Sequence, residues 1–249
     1  KICEDISSRH KYTFDLDAIL SRLIYGRILF PSSKLNTFEE SKCLLEQPSF
    51  ELQHVYRALE VIAKESDFIQ SQLYKNSLSV SKRNDRILYY DCTNYFFEIE
   101  QEEGLKQYGV SKENKPNPIV EMGLFMDGDG IPLAFSIHSG NTNEQVTLKP
   151  LEKQIIEDFK LSKFVVCTDA GLSSTDNRKF NDIGERSFIT TQSVKKLKNH
   201  LKEWALNPEG WSHPQSTSTF DLRTLDEDQV LYEKFKTMTF YKERWIKED

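Results

Sequence analysis

Nowhere in the 249 residues does an uninterrupted apolar run approach the 18 or so residues that a membrane-spanning helix requires, and the opening KICEDISSRHKYTFD lacks the apolar core of a secretory signal. A cytoplasmic setting is the default expectation, with no membrane partner. Cysteine is scarce: Cys3, Cys43, Cys92 and Cys167 form no C-x-x-C pair. That removes the usual spacing of structural zinc sites and disulfide frameworks and predicts buried free thiols. Positive charge is in deficit, since 33 Lys and Arg face 39 Asp and Glu for a net charge of −6. The balance argues against a chain that coats nucleic acid non-specifically and leaves room for a local basic patch. No internal repeat is visible. A start at Lys1 and an end at YKERWIKED, without a terminating signal, predict a fragment cut at both ends.

What is present falls into three stretches. Residues 1–84 read as a helical region without visible chemistry. Leu16, Ile19, Leu20, Leu23 and Ile24 recur at helical spacing before Pro31, and Val55, Leu59, Ile62, Ala63, Ile69 and Leu73 line a second long pattern over 52–78. Residues 85–206 form the predicted core. A strand begins at Ile87, and IVEMGLFM and IPLAFSIH flank DGDG as a hairpin. A helix follows from about 141, then the strand KFVVCTDAG, a short helix over 175–184, the strand SFITTQ, and an amphipathic helix with Leu197, Leu201 and Trp204 inward. Residues 207–249 read as a polar loop and then a strand-leaning end, the start of a truncated β-rich insertion or linker.

Three antiparallel strands followed by two strands reached through helical crossovers predict a ribonuclease H-like α/β fold, a mixed five-stranded sheet with helices on both faces. In that order the fourth strand lies beside the first, which makes Asp91 and Asp169 neighbours. Two adjacent carboxylates repel each other unless cations bridge them. Two Mg2+ (or Mn2+) ions held by such acids can activate a nucleophile and stabilise a leaving oxygen at a phosphodiester. The plainer reading of Asp91 is a salt-bridged strand acid, and that of Asp169 a turn former before Gly171. Asp127 and Asp129 lack the further ligands of an EF-hand and read as turn residues. Asn141, Thr142, Asn143 and Glu144 read as helix caps, and His138 as a surface residue at a strand end. Tyr108, Lys112 and Lys115, with Lys195 and Lys198 further on, are candidates for contact with DNA, their alternative being an ordinary solvated face.

The stretches YYDCTNYFFE, YGVSKENKPNPIVEMGLFMDGDGIPLAFSIHSGNTNE and VVCTDAGLSS resemble, in combination and order, the catalytic core of DDE transposases encoded by bacterial insertion sequences. The likeness is close over roughly 86–195, and RLIYGRILFPSSKL and YKERWIKE are also similar to parts of these enzymes. The resemblance implies metal-dependent DNA cleavage and strand transfer, with terminal inverted repeats and target DNA as partners. It also implies a homodimer on DNA and a nucleoid-associated location in a bacterial cytoplasm. Such enzymes use a third acid, often within Tyr-x2-Arg-x3-Glu. Tyr241, Arg244 and Glu248 have that spacing, which makes Glu248 one candidate; the other is an acid beyond residue 249. A ribonuclease H-like nuclease without strand transfer, or an inactive transposase remnant that binds DNA, are the alternatives.

Overall fold

The computed structural model describes residues 1–212 and 217–224. The chain divides into two compact units, Lys1–Thr191 and Gln192–Asp249.

The first unit opens with five helices: α1 (Ile2–Arg9), α2 (Leu16–Leu29), α3 (Lys34–Ser41), α4 (Leu52–Lys64) and α5 (Ser66–Ser77). Asp15 and Ser33 cap α2 and α3 by accepting from the backbone N–H groups of Ala18 and Asn36, at 3.0 and 3.1 Å, which satisfies donors that a helix start leaves unpaired. Cys3, Ile6, Leu16, Ile19, Phe50, Val55 and Ala58 form the shared core. The pattern over 52–78 proves to be two helices. The chain leaves helical geometry at Glu65 (φ −98°, ψ 11°) and restarts at once. The two segments therefore bury different faces, and Ala63 and Leu73 point outward. Ile24 is likewise half exposed, and of the four free cysteines only Cys3 and Cys92 are buried, while Cys43 is exposed.

The sheet consists of β1 (Ile87–Phe96), β2 (Ile119–Asp127), β3 (Pro132–Ser139), β4 (Val165–Thr168) and β5 (Ser187–Thr190). Its order is β3-β2-β1-β4-β5; β1, β2 and β3 are antiparallel, while β4 and β5 run parallel to β1. This is the ribonuclease H-like arrangement, a mixed α/β sheet with flanking helices. The crossover from β3 to β4 begins with a 3-10 turn, Glu144–Val146, where the expected helix was to start. It continues as α6 (Leu148–Asp158), which carries Pro150 in its first turn, where a missing N–H costs nothing. A second helix, α7 (Thr175–Asn181), links β4 to β5.

Strand β1 alternates strictly. Leu88, Tyr90 and Cys92 join Phe125, Val166 and the α6 residues Leu148, Leu151 and Ile155 in a second core. Tyr89, Asp91 and Tyr95 face the other way and are exposed, as period-two side chains must when only one face is packed. At the hairpin end, Asp127 accepts from the backbone N–H groups of Asp129 and Ile131 at 3.1 and 2.9 Å. It is the expected turn residue and also forms a buried ion pair with Arg83, Oδ2 to Nε 2.5 Å.

The second unit holds a 3-10 turn, Val194–Lys196, then α8 (Asn199–Leu206) and a small hairpin of β6 (Trp211–Ser212) with β7 (Thr219–Phe220). One continuous helix was expected over 193–206. Leu197 and Lys198 are instead extended (ψ 150° at both) and interrupt it. The short hairpin falls in a stretch expected to be loop. Residues 225–249, with the strand-leaning end and the Tyr241, Arg244 and Glu248 set, lie outside the described residues.

Candidate active site

Parallel pairing of β1 with β4 sets Ile87 beside Val165, Leu88 beside Val166 and Tyr89 beside Cys167. Two residues further along both strands come Asp91 and Asp169, so both fall on the face that Tyr89 and Cys167 share, on strands whose usual spacing is about 4.8 Å. Asp169 is still extended (φ −79°, ψ 178°) and caps the following 3-10 turn, its Oδ1 accepting from Leu172 N–H at 3.1 Å. The turn-forming role is therefore real, and it leaves Oδ2 without a hydrogen bond among the described residues. Gly171 keeps that carboxylate free of crowding: a Cβ there would stand 3.3 Å from Oδ1. Asp91 accepts from Cys92 N–H at 2.8 Å, and its side chain is 71% exposed. Exposed carboxylates with free oxygens suit a hard divalent cation. Among the described residues no group of three His, Cys, Asp or Glu side chains could hold a metal.

A cleft of about 630 Å³ opens beside this pair, lined by Tyr108, Lys112, Glu121, Asn141, Glu144 and Gly171 among others. Its walls are two loops brought into backbone contact by glycines. A side chain on Gly109 would collide with the Gly140 carbonyl, and one on Gly140 with the carbonyls of Ile119 and Gln107. Lys112 reaches in from the first loop. Its Nζ lies 3.8 Å from Asp91 Oδ1 and 3.4 Å from Glu144 Oε1, and it donates to the Cys92 carbonyl. Partial burial works against this ammonium, but Asp91 and Glu144 carry its pKa above the usual lysine value.

Glu121, 4% exposed, sits on the packed face of β2 and lines the cleft together with Glu144. Burial, reinforced by the charge of Glu144, pushes its carboxyl up to about 7. The Glu144 turn is fixed from the core. Thr147 Oγ1 donates to the Glu144 carbonyl at 2.7 Å, so the Tyr90 hydroxyl, 2.6 Å from the same oxygen, must be the donor to it. One strand thus presents Asp91 on its open face and anchors the opposite wall of the cleft with the next residue back.

Of the other residues expected from the sequence, Tyr108 lines the cleft with its hydroxyl donating to the Glu100 carbonyl at 2.6 Å. Lys115 lies over the Phe96 ring, 5.2 Å from its centre. Asn141 lines the cleft and accepts from Ser139 Oγ at 2.8 Å. His138 meets Ser136 Oγ at 2.7 Å, and burial lowers its pKa. Lys195 and Lys198 are exposed in the second unit. Glu248 lies outside the described residues. Sequence reasoning missed Glu121 and took Glu144 for a cap. The alternation of IVEMGLFMD carried a signal, because it puts Glu121 on the same buried face as Phe125.

No protein-family model and no curated protein matches the sequence. Among solved structures, the chain is similar to a piggyBac transposase synaptic complex with hairpin DNA, at 12% identity and TM-score 0.39, covering 80% of this chain and 48% of that one. It is also similar to a Mos1 transposase paired-end complex with the left transposon end, at 11% identity and TM-score 0.29, covering 74% and 61%. A Mos1 mariner paired-end complex with Mn gives 12% identity and TM-score 0.29, covering 78% and 73%. The chain spans about half the length of the first and about three fifths of the second. These superpositions are loose, and it is the strand order and register that define the fold.

Proposed function

We propose that this chain is the catalytic region of a DDE transposase of the insertion-sequence type, which cuts DNA at element ends and joins the freed 3′-hydroxyl to target DNA. The observation that carries the reading is the β1–β4 register, which directs Asp91 and Asp169 to one exposed face of a ribonuclease H-like sheet. In this reading both are metal ligands, each offering a free oxygen. Mg2+ or Mn2+, as a pair of ions, supplies Lewis-acid activation of the attacking oxygen and charge stabilisation of the leaving one. The chain's own contribution is to hold the two carboxylates in register, to keep Asp169 turned by its bond to Leu172 N–H, and to shape the adjoining cleft. Tyr108, Lys112, Lys115, Lys195 and Lys198 are the proposed contacts to DNA, through stacking and phosphate charge. The third acid is Glu248 or one further on. Terminal repeats, target DNA and a second transposase chain in the bacterial cytoplasm complete the proposal.

The test is end cleavage and strand transfer on a duplex carrying the element's terminus, with Mg2+ or Mn2+, in the protein that contains this chain. Asp91→Ala and Asp169→Ala should each reduce both steps by about a thousandfold or more, the scale lost when essential electrostatic stabilisation is removed. Wild-type rates in either variant sink the reading. Cleavage without joining would favour the nuclease, and DNA binding without either step the inactive remnant.

A further inference from the structure

One ammonium in the cleft faces a carbonyl and two carboxylates. Lys112 donates to the Cys92 carbonyl and lies 3.8 Å from Asp91 Oδ1 and 3.4 Å from Glu144 Oε1, so its charge is shared between two carboxylates. The Asp91 side chain is 71% exposed and that of Glu144 34%, and the Glu144 turn is fixed by the bond from Thr147 to its carbonyl. A divalent ion bound at Asp91, even at the free Oδ2, would stand within a few ångströms of the ammonium beside Oδ1, and two cations that close repel. The lysine keeps a partner, because Glu144 is already the nearer carboxylate.

We propose that Lys112 is a built-in competitor for the cation at Asp91, and that Glu144 is the carboxylate that retains the ammonium when a divalent ion takes its place. The proposal rests on the reading of Asp91 as a metal ligand given above. It makes Lys112 and Glu144 residues that set the metal affinity of the site.

Mn2+ binding to the whole chain, followed by paramagnetic resonance of free Mn2+ at neutral pH and low salt, tests this without any DNA. Lys112→Met should bind Mn2+ about three- to tenfold more tightly, the scale expected from removing one partly screened charge. Lys112→Gln, which can still bond the Cys92 carbonyl, should shift affinity in the same direction and guards against a misfolded first variant, with thermal unfolding as the check. Glu144→Gln should weaken binding in the wild-type background and change it little in the Lys112→Met background, since it acts through the lysine. Unchanged or weaker binding by both lysine variants, with Asp91→Asn still losing the ion, overturns the competitor role and leaves the metal site standing. Equal losses from Glu144→Gln in both backgrounds overturn the role given to Glu144. If Asp91→Asn binds Mn2+ as the wild type does, the metal reading itself fails and the competitor falls with it.

Discussion

Glu121 and Asp127 occupy the same strand and the same packed face, six positions apart, and their environments push them in opposite directions. Burial works against the charge of both. At Asp127 the Arg83 guanidinium and the backbone N–H groups of Ile131 and Asp129 outweigh it, and the carboxyl stays below the ordinary range. At Glu121 burial is joined by the negative charge of Glu144, and the carboxyl rises to about 7, with only Lys112 opposing. One end of the sheet is an electrostatically closed joint that fixes the β2–β3 turn to the segment before β1. The other is left with more negative charge than its single lysine neutralises. Excess acid is a liability for folding and an asset for attracting cations, and it lies beside the two exposed aspartates.

The largest break in this contrast should come from Asp127→Ala. It strands Arg83, whose side chain is 4% exposed, and removal of one partner from a buried pair typically costs about 3–5 kcal/mol. Denaturant unfolding should show that loss, and a drop under 1 kcal/mol would mean the pair is not the closed joint described. Glu121→Gln should act with the opposite sign. Below pH 4.5 both the folded and unfolded carboxyls carry a proton; between there and about 7 the unfolded chain releases it first, so the wild type loses stability as pH rises. The variant lacks this loss and should be more stable at pH 8, by about 1–3 kcal/mol on linkage. A wild-type thermal midpoint that stays level from pH 5 to 8, or an identical slope in the variant, would remove Glu121 from the account. Glu152, fully buried near Asn181 and Arg186 and also raised to about 7, titrates in the same window, so Glu152→Gln is the companion that separates the two contributions.

A smaller effect is expected at the anchor of the cleft wall. Thr147→Val removes the link between Tyr90 and the Glu144 turn and should cost about 1 kcal/mol or somewhat more, since it leaves the buried Tyr90 hydroxyl with only the Cys92 thiol at 3.6 Å. Calorimetry reads that directly, and no change would mean the turn is held elsewhere. Smallest in stability is Gly171→Ala. Its Cβ would crowd the Asp169 carboxylate while altering stability by no more than about 0.5 kcal/mol. Mn2+ affinity should fall although the thermal midpoint holds, and an unaltered affinity would show that the carboxylate has room to give way.

How much of this was legible in the sequence follows from the range of the interactions involved. The alternation of YYDCTNYFFE, the DGDG hairpin and the helical crossovers are local signals. The handedness and neighbour rules then turn them into a sheet order in which the strands leading to Asp91 and Asp169 are neighbours. The break between α4 and α5 left little mark, because ALEVIAKESDFIQ contains neither proline nor glycine and Ser66 and Asp67 lower its helix propensity only modestly. Lys112, Glu144 and Glu121 were unreadable as a group for a different reason. They converge only because two loops touch through Gly109 and Gly140, and a backbone contact of that kind writes no periodicity into the residues around it. Asp127 was read correctly as a turn residue, but its ion pair with Arg83 crosses 44 residues and has no local trace.

The pairing of β1 with β4 also bears on timing. The strands that carry Asp91 and lead to Asp169 pair through a parallel contact that spans the hairpin and the whole α6 crossover, and contacts of such sequence separation form late because loop closure must come first. A chain that has emerged only as far as α6, or that is caught half folded, holds Asp91 on a strand with no second acid beside it. Any chemistry that depends on the two together is therefore silent until the sheet is assembled.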